Sequence, residues 1–576
     1  MIKILKYMRG YTVFAVLAPI FKILEAIFEL MIPLVVKNII DVGIAAGDSG
    51  YILRMCGLLV LLTLIGFSCT MVAQYFAAKA AVGFSKNLRQ ALFDHAQTLT
   101  FSDIDRMGTS TMITRMTSDI AQVQTGVNLT LRLFSRSPVI VFGSMIMAFT
   151  IDVPSAVIFA IAIPVLCVVV FGIMLAGIPL YRKVQARLDR VLGITRENLS
   201  GARVIRAFTD EENEIKTFKE QNTALTAVQK FAGKISALMN PATYLLINLA
   251  IIALVYTGAL RVEAGAITQG SVIALYNYMS QILVELVKLA NLIISMTKAA
   301  ACADRIAAML ADGGQPLPIS KNKEKQDDFA VTFRGVGLTY QNASEESLSD
   351  ISFTARRGET VGIIGGTGSG KTSLVHLIPR FYDATRGEIL LFGVDVRAYT
   401  AEQLRQKVGI VMQKAVLFRG TIRDNLRWGK PDATDEEIWK ALDTAQARDV
   451  VEGKEGGLDY RIEQDGKNLS GGQRQRLGIA RTLVADPDIL ILDDSASALD
   501  YATDARLRNA IKEMENDHTV FIVSQRAASI AHADKIIVLE DGRAVGIGTH
   551  TELLESCPVY AEIYYSQFPK EEECRS

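Results

Sequence analysis

Apolar positions are unevenly spread along this chain. They crowd into roughly the first 300 residues, and there they come in long blocks. A helix needs about 20 predominantly apolar residues to cross ~30 Å of hydrocarbon. Six stretches meet that need: 11–40, 52–77, 138–151 extended back to about 131, 155–178, 244–260 extended back to 238, and 271–296. The first is too long and too poorly cleavable for a signal peptide, so it reads as a retained span. Beyond residue 328 the pattern changes. Short β-branched or aromatic runs at 330–333, 359–364, 408–412, 489–492, 519–523 and 535–539 alternate with helical segments. That alternation predicts an α/β sheet domain. The expected fold is therefore an all-α, six-helix transmembrane domain fused to an α/β domain. The transmembrane domain is expected over 1–310, with 297–310 continuing the last span as helix. The α/β domain is expected over 329–576. Between them, 311–328 has the glycines, prolines and basic run (321–325) of a surface linker.

Positive charge sets the expected orientation. Lys3, Lys6 and Arg9 precede the first span. Lys79, Lys86, Arg89, Arg106 and Arg115 lie between spans two and three. Arg182, Lys183, Arg187, Arg190, Arg203, Arg206, Lys216 and Lys219 lie between spans four and five. The opposite connections, 41–51, 152–154 and 261–270, are short and poor in Lys and Arg. Six spans with both ends in the cytoplasm satisfy this pattern. The long cytoplasmic stretches 82–99 and 181–199 keep helical spacing. They read as helices carried beyond the membrane, with tips at 101–119 and 204–214, because structureless loops of such length are uncommon.

A few charges sit inside the apolar blocks. Lys22, Glu25 and Glu29 share one helix face, and so do Glu285 and Lys288. Ionisable groups in lipid are costly and turn toward protein or a wet cavity. These faces read either as structural ion pairs or as lining of a substrate path.

Composition narrows the function. Half of the 576 residues are hydrophobic, and the mean hydropathy is +0.26. Lys+Arg and Asp+Glu are equal at 61 each, so there is no basic surplus to attract nucleic acid. Six scattered cysteines and five scattered histidines show neither disulfide nor metal-ligand spacing.

The chemistry lies in the second domain. The run Gly365, Gly366, Thr367, Gly368, Ser369, Gly370, Lys371, Thr372 matches the phosphate-binding loop pattern in full, and Ser373 follows it. An apolar strand precedes the loop and a helical run follows. Glycines let backbone N–H groups wrap phosphate oxygens, and the next helix adds the positive end of its dipole. Lys371 would reach the β- and γ-phosphates of ATP, and the Thr372 hydroxyl would ligate Mg²⁺. Downstream, the apolar strand 489–492 ends in Asp493, placed to orient the same ion.

Between these motifs stands Leu469, Ser470, Gly471, Gly472, Gln473. This is the signature of the ATP-binding cassette (ABC) family, and the whole chain resembles a half-transporter of its exporter class. The resemblance implies two cassettes paired head to tail, with each ATP between one P-loop and the other chain's signature. Ser470 and Gly472 would then touch the partner's nucleotide. Tyr340 matches the aromatic that stacks on adenine. Gln413 matches the glutamine that senses Mg²⁺ and the attacking water. The stretch 497–500, ending in Asp500, matches the loop that crosses the dimer interface. The tips at 101–119 and 204–214 resemble coupling-helix regions.

Two residues depart from the family pattern. The general-base glutamate after Asp493 is replaced by Asp494, one methylene shorter. The switch histidine is replaced by Gln525, which can donate a hydrogen bond but cannot carry positive charge. General-base catalysis depends on hydrogen-bond reach, so this site is expected to bind MgATP and hydrolyse it poorly. The intact signature is expected to serve a different subunit in a heterodimer. The expected activity is ATP-driven export of a hydrophobic, lipid or peptide substrate across a bacterial plasma membrane, with the cassette cytoplasmic. The alternatives are a homodimeric lipid or peptide exporter, and a membrane-bound ATP-sensing regulatory subunit. No protease-like or targeting segment is read ahead of the first span, which speaks against a peptide-processing exporter.

Overall fold

The structure is a computed structural model and describes residues 2–313, 328–341, 343–514 and 517–568. Most of the expected linker, including its basic run, lies outside the described residues. The chain forms two compact units. One comprises residues up to Gln97 together with Ser110–Asp312; the other comprises Thr98–Thr109 together with the chain from Gly313 onward.

The first unit is helical. Thr12–Asn38, Ser49–Thr98, Thr109–Ile151, Val153–Ser200, Glu211–Glu263 and Gln269–Ala311 occupy the expected apolar blocks. Among the described residues, five of these are long and apolar enough to cross a membrane. The remaining one, Thr12–Asn38, is 27 residues long, about 40 Å at 1.5 Å per residue. Its Lys22, Glu25 and Glu29 interrupt an otherwise apolar run. The expected cytoplasmic extensions are continuous helix. Ser49–Thr98 has 50 residues and Val153–Ser200 has 48, lengths of roughly 70–75 Å. Large apolar side chains stand in the open on these helices, with Leu53 at 75% exposure and Val168 at 72%. Apolar surface of that extent is what a hydrocarbon solvent covers.

The tips are tighter than the sequence suggests. Thr100 caps the short helix Phe101–Met107 with a reciprocal Thr100–Asp103 capping box. The chain is helical again from Thr109, so 109–119 belongs to a long helix. The second tip is Ala202–Phe208, and the following helix begins at Glu211.

Inside the first unit the ionisable residues find one another. Arg136, 8% exposed, reaches Glu285 at 2.5 Å, Glu29 at 2.6 Å and Glu25 at 3.5 Å. Lys22 pairs with Glu25 at 2.5 Å and Lys288 with Glu285 at 2.9 Å. Lys22, Arg136 and Lys288 thus balance Glu25, Glu29 and Glu285. The sequence reading found five members of this cluster and missed its hub. Arg136 stands at the edge of its apolar block and looks like a boundary charge.

The second unit is an α/β domain. Its main sheet runs, in spatial order, Val408–Val411, Ile489–Asp493, Thr519–Val523, Thr360–Gly365 and Lys535–Glu540, all parallel, with Arg543–Gly548 antiparallel at one edge. The central strands are apolar on both faces because helices or a second sheet cover both. The second sheet is antiparallel and holds Phe329–Leu338, Leu348–Arg356, Arg386–Leu391 and Val394–Asp395. The last three of these strands, and the edge strand Arg543–Gly548, were not anticipated from sequence. Their apolar and polar residues are mixed, and only pairing fixes which face is inward.

Candidate functional site

The site lies at the carboxyl ends of the parallel strands, where ligands of open α/β sheets bind. Thr360–Gly365 runs straight into the glycine-rich loop, and the helix Lys371–Leu377 leaves it. Two glycines are required sterically. A Cβ at Gly365 would stand 2.1 Å from the Leu539 carbonyl oxygen, and Gly370 adopts φ +94°.

Lys371 folds back over the loop. Its Nζ donates to the carbonyls of Gly365 at 2.9 Å and Gly366 at 2.6 Å. Burial lowers its pKa, partly opposed by the carboxylates of Asp494 and Asp493. The Thr372 hydroxyl donates to Asp493 Oδ1 at 3.0 Å. Asp493 is 1% exposed at the end of its strand. A hydroxyl and a carboxylate side by side are hard oxygen donors, the type Mg²⁺ takes when phosphates and water complete its shell. These two residues fit that ion.

Asp494 follows at φ +45°, a left-handed position that aspartate tolerates better than most residues. The turn is held by the Asp494 N–H on the Val523 carbonyl at 3.0 Å and by the Ser497 hydroxyl on the Asp494 carbonyl at 2.8 Å. The Gln413 amide donates to the Asp494 carboxylate at 3.3 Å. Burial raises the Asp494 pKa above the ordinary aspartate value. The Gln413 hydrogen bond works against that rise, the charge of Asp493 adds to it, and Lys371 and Arg526 oppose it.

Gln525 lies on the same cleft, which has a volume of about 910 Å³ and is lined also by Thr367, Lys371, Thr372, Gln413 and Asp494. Its backbone is anchored by Gln567, whose amide donates to the Gln525 carbonyl at 2.8 Å. Arg526 ties this turn to the 497–500 loop by donating to the carbonyls of Leu499 and Ser497. Tyr340 belongs to the loop's surroundings. Its hydroxyl donates to Ser373 Oγ at 2.8 Å, and its ring stands edge-on to Tyr382 at 5.0 Å.

Not every expected site residue joins the cleft. Ser470 is exposed and caps the helix Gly471–Leu483. Its hydroxyl accepts from the Gln473 N–H at 3.3 Å, and Gln473 Oε1 accepts from the Ser470 N–H at 3.0 Å. Gly472 packs close to the Ala498 carbonyl. Asp500 caps the next helix through Thr503. None of Ser470, Gly471, Gly472, Gln473 and Asp500 lines the cleft around Lys371. Sequence reasoning missed His376. Its Nε2 lies 3.6 Å from Asp493 Oδ2, and its position one helical turn past Thr372 was the available signal.

Two family models match this chain. Residues 15–286 match the family model described as ABC transporter transmembrane region, and residues 348–497 match the model described as ABC transporter. An uncharacterized ABC transporter ATP-binding protein of Mycobacterium tuberculosis is 37% identical over 567 residues, covering 98% of this chain and 97% of the relative. A Bacillus subtilis relative, provisionally named a multidrug export ATP-binding/permease protein, is 33% identical over 550 residues, 93% of each chain. The ATP-dependent lipid A-core flippase of Chromobacterium violaceum is 29% identical, covering 98% of this chain and 97% of its own. Among solved structures, a bacterial Atm1-family ABC exporter with ATP bound superposes with a TM-score of 0.82 at 22% identity, covering 98% of this chain and all of that one.

Proposed function

Since the chain belongs to the ABC transporter family, as a helical membrane domain fused to an ABC ATPase, we propose that it is one half of a heterodimeric exporter whose own ATP site is catalytically weak. The observation that carries this reading is the composition of the cleft. Lys371, Thr372, Gln413, Asp494 and Gln525 share it, and Ser470 does not. A complete site then needs a second chain's signature, and this chain's signature is free to complete a second chain's site.

In this reading Lys371 and the loop amides hold the phosphates, and Thr372, Asp493 and Gln413 hold Mg²⁺. Tyr340 supports the adenine. Asp494 is a base that falls short of the attacking water, and Gln525 is a switch residue without charge. Hydrolysis occurs at the site formed by the partner's P-loop with Ser470 and Gly472. Six spans with both ends in the cytoplasm carry the cargo path. The names of the lipid A-core flippase and the multidrug export relative support a hydrophobic or amphipathic cargo leaving a bacterial cytoplasm.

The test is purification of the tagged chain from its native membrane. The expected result is a second ABC half-transporter in equal amount, carrying glutamate and histidine at the positions of Asp494 and Gln525. The chain alone should turn over ATP slowly. Brisk hydrolysis by a dimer of this chain alone would replace the heterodimer with a homodimeric exporter.

A further inference from the structure

Asp493 is approached from both sides. Thr372 Oγ1 donates to Oδ1 at 3.0 Å, and His376 Nε2 faces Oδ2 at 3.6 Å. That nitrogen is buried and makes no hydrogen bond, although burying a polar atom unpaired is costly. Only 12% of the His376 side chain is exposed. A shift of about 0.6 Å would bring Nε2 and Oδ2 to ordinary hydrogen-bond distance.

The other side of the imidazole is aromatic. Phe381 meets it edge-on, with ring centroids 5.4 Å apart, and Tyr382 lies nearly parallel to it at 6.3 Å and 14°. These two rings also receive the short helix Phe101–Met107. Phe101 stacks on Phe381 at 4.2 Å and 24°, and the Tyr382 hydroxyl donates to Asp105 at 2.6 Å. Tyr382 further touches Tyr340, whose hydroxyl reaches Ser373 in the phosphate loop. A single imidazole therefore stands between the Asp493 carboxylate and the two rings that seat the helix.

We propose that His376 is a positioning residue that fixes the Asp493 carboxylate for Mg²⁺ and makes its placement depend on the seating of Phe101. A side chain confined by flat rings on one side has few rotamers left. With Phe101 seated, Phe381 and Tyr382 hold the ring against Oδ2. With Phe101 withdrawn, the rings relax and Asp493 loses its lateral support. The short helix Phe101–Met107 thereby acts on the metal carboxylate through packing, with no change of charge. This rests on the reading of the cleft as an MgATP site.

The test uses the purified full-length chain and a fluorescent trinitrophenyl-ATP, comparing its affinity in excess Mg²⁺ with its affinity in EDTA. Partners that orient a metal ligand are typically worth 10–100-fold in metal affinity. His376→Leu should shrink the Mg²⁺-dependent gain about tenfold. His376→Asn, which keeps a donor, should recover most of it. Phe101→Ala should shrink the gain in part, and the His376→Leu/Phe101→Ala pair should be no worse than His376→Leu alone, because both act along one chain of contacts. An unchanged gain in His376→Leu, or additive losses in the pair, would overturn the proposal. If His376→Leu does not fold, the same comparison between Phe101→Ala and His376→Asn decides it: a full gain in Phe101→Ala overturns it. Absence of any nucleotide binding would sink the MgATP reading itself, whereas binding with an unaltered Mg²⁺ ratio sinks only the role of His376.

Discussion

Gln413 and Asp494 are joined within the cleft, the glutamine amide donating to the aspartate carboxylate at 3.3 Å. The bond holds a short acidic side chain beside Lys371 and Asp493, one methylene back from where a glutamate would end. A general base contributes roughly 10²–10⁴-fold when its reach is right. Asp494→Glu together with Gln525→His should therefore raise hydrolysis at this site at least about tenfold, read as phosphate release at saturating MgATP by the two-chain assembly with the partner's own site disabled. An unchanged rate would remove the argument from reach.

The pH profile of this site should differ from that of a Glu–His site. Burial raises the Asp494 pKa, and a protonated carboxyl cannot accept a proton. Residual hydrolysis should accordingly fall away on the acid side at a higher pH than for an aspartate of ordinary pKa, about 3.9. Gln525 does not titrate, so that position contributes no imidazole limb. Gln525→His should add one near pH 6.5, visible in a pH–rate comparison of the two proteins.

Ser470 caps its own helix and stands outside the cleft. Ser470→Ala removes a cap worth about 1 kcal/mol, a modest loss for a large chain. Its larger effect should be on the partner's site. Hydrolysis by the two-chain assembly should drop at least about tenfold, the scale of losing one donor to a reacting phosphate. The affinity of this chain's own cleft for ATP should move far less. Isotopic ATP binding and phosphate release, measured side by side, separate the two.

Arg136 neutralises Glu29 and Glu285 in the helical unit. Arg136→Leu takes that cation from Glu29 and leaves Glu285, only 3% exposed, with Lys288 alone. Breaking a buried pair from one side costs about 3–5 kcal/mol. The variant should unfold at a clearly lower temperature in detergent. Lys288→Gln should do much less, within about 1 kcal/mol, because the Lys288 side chain is 45% exposed.

The long helices and the parallel strands were legible in the chain itself. Blocks of some 20 apolar residues have no other stable use than a span, and runs such as 489–492 are too uniformly apolar for a surface. The phosphate loop was legible for a related reason: Gly370 answers to its own left-handed backbone, φ +94°, which a sequence displays directly, whereas the need for glycine at 365 comes from the distant Leu539 carbonyl. What the tertiary structure alone decided are the contacts between residues far apart in the chain. Arg136 meets Glu25, Glu29 and Glu285, Phe101 meets Phe381, and His376 meets Asp493. Periodicity and composition report which face of an element is apolar, but which polar groups share that face is settled only when the elements pack.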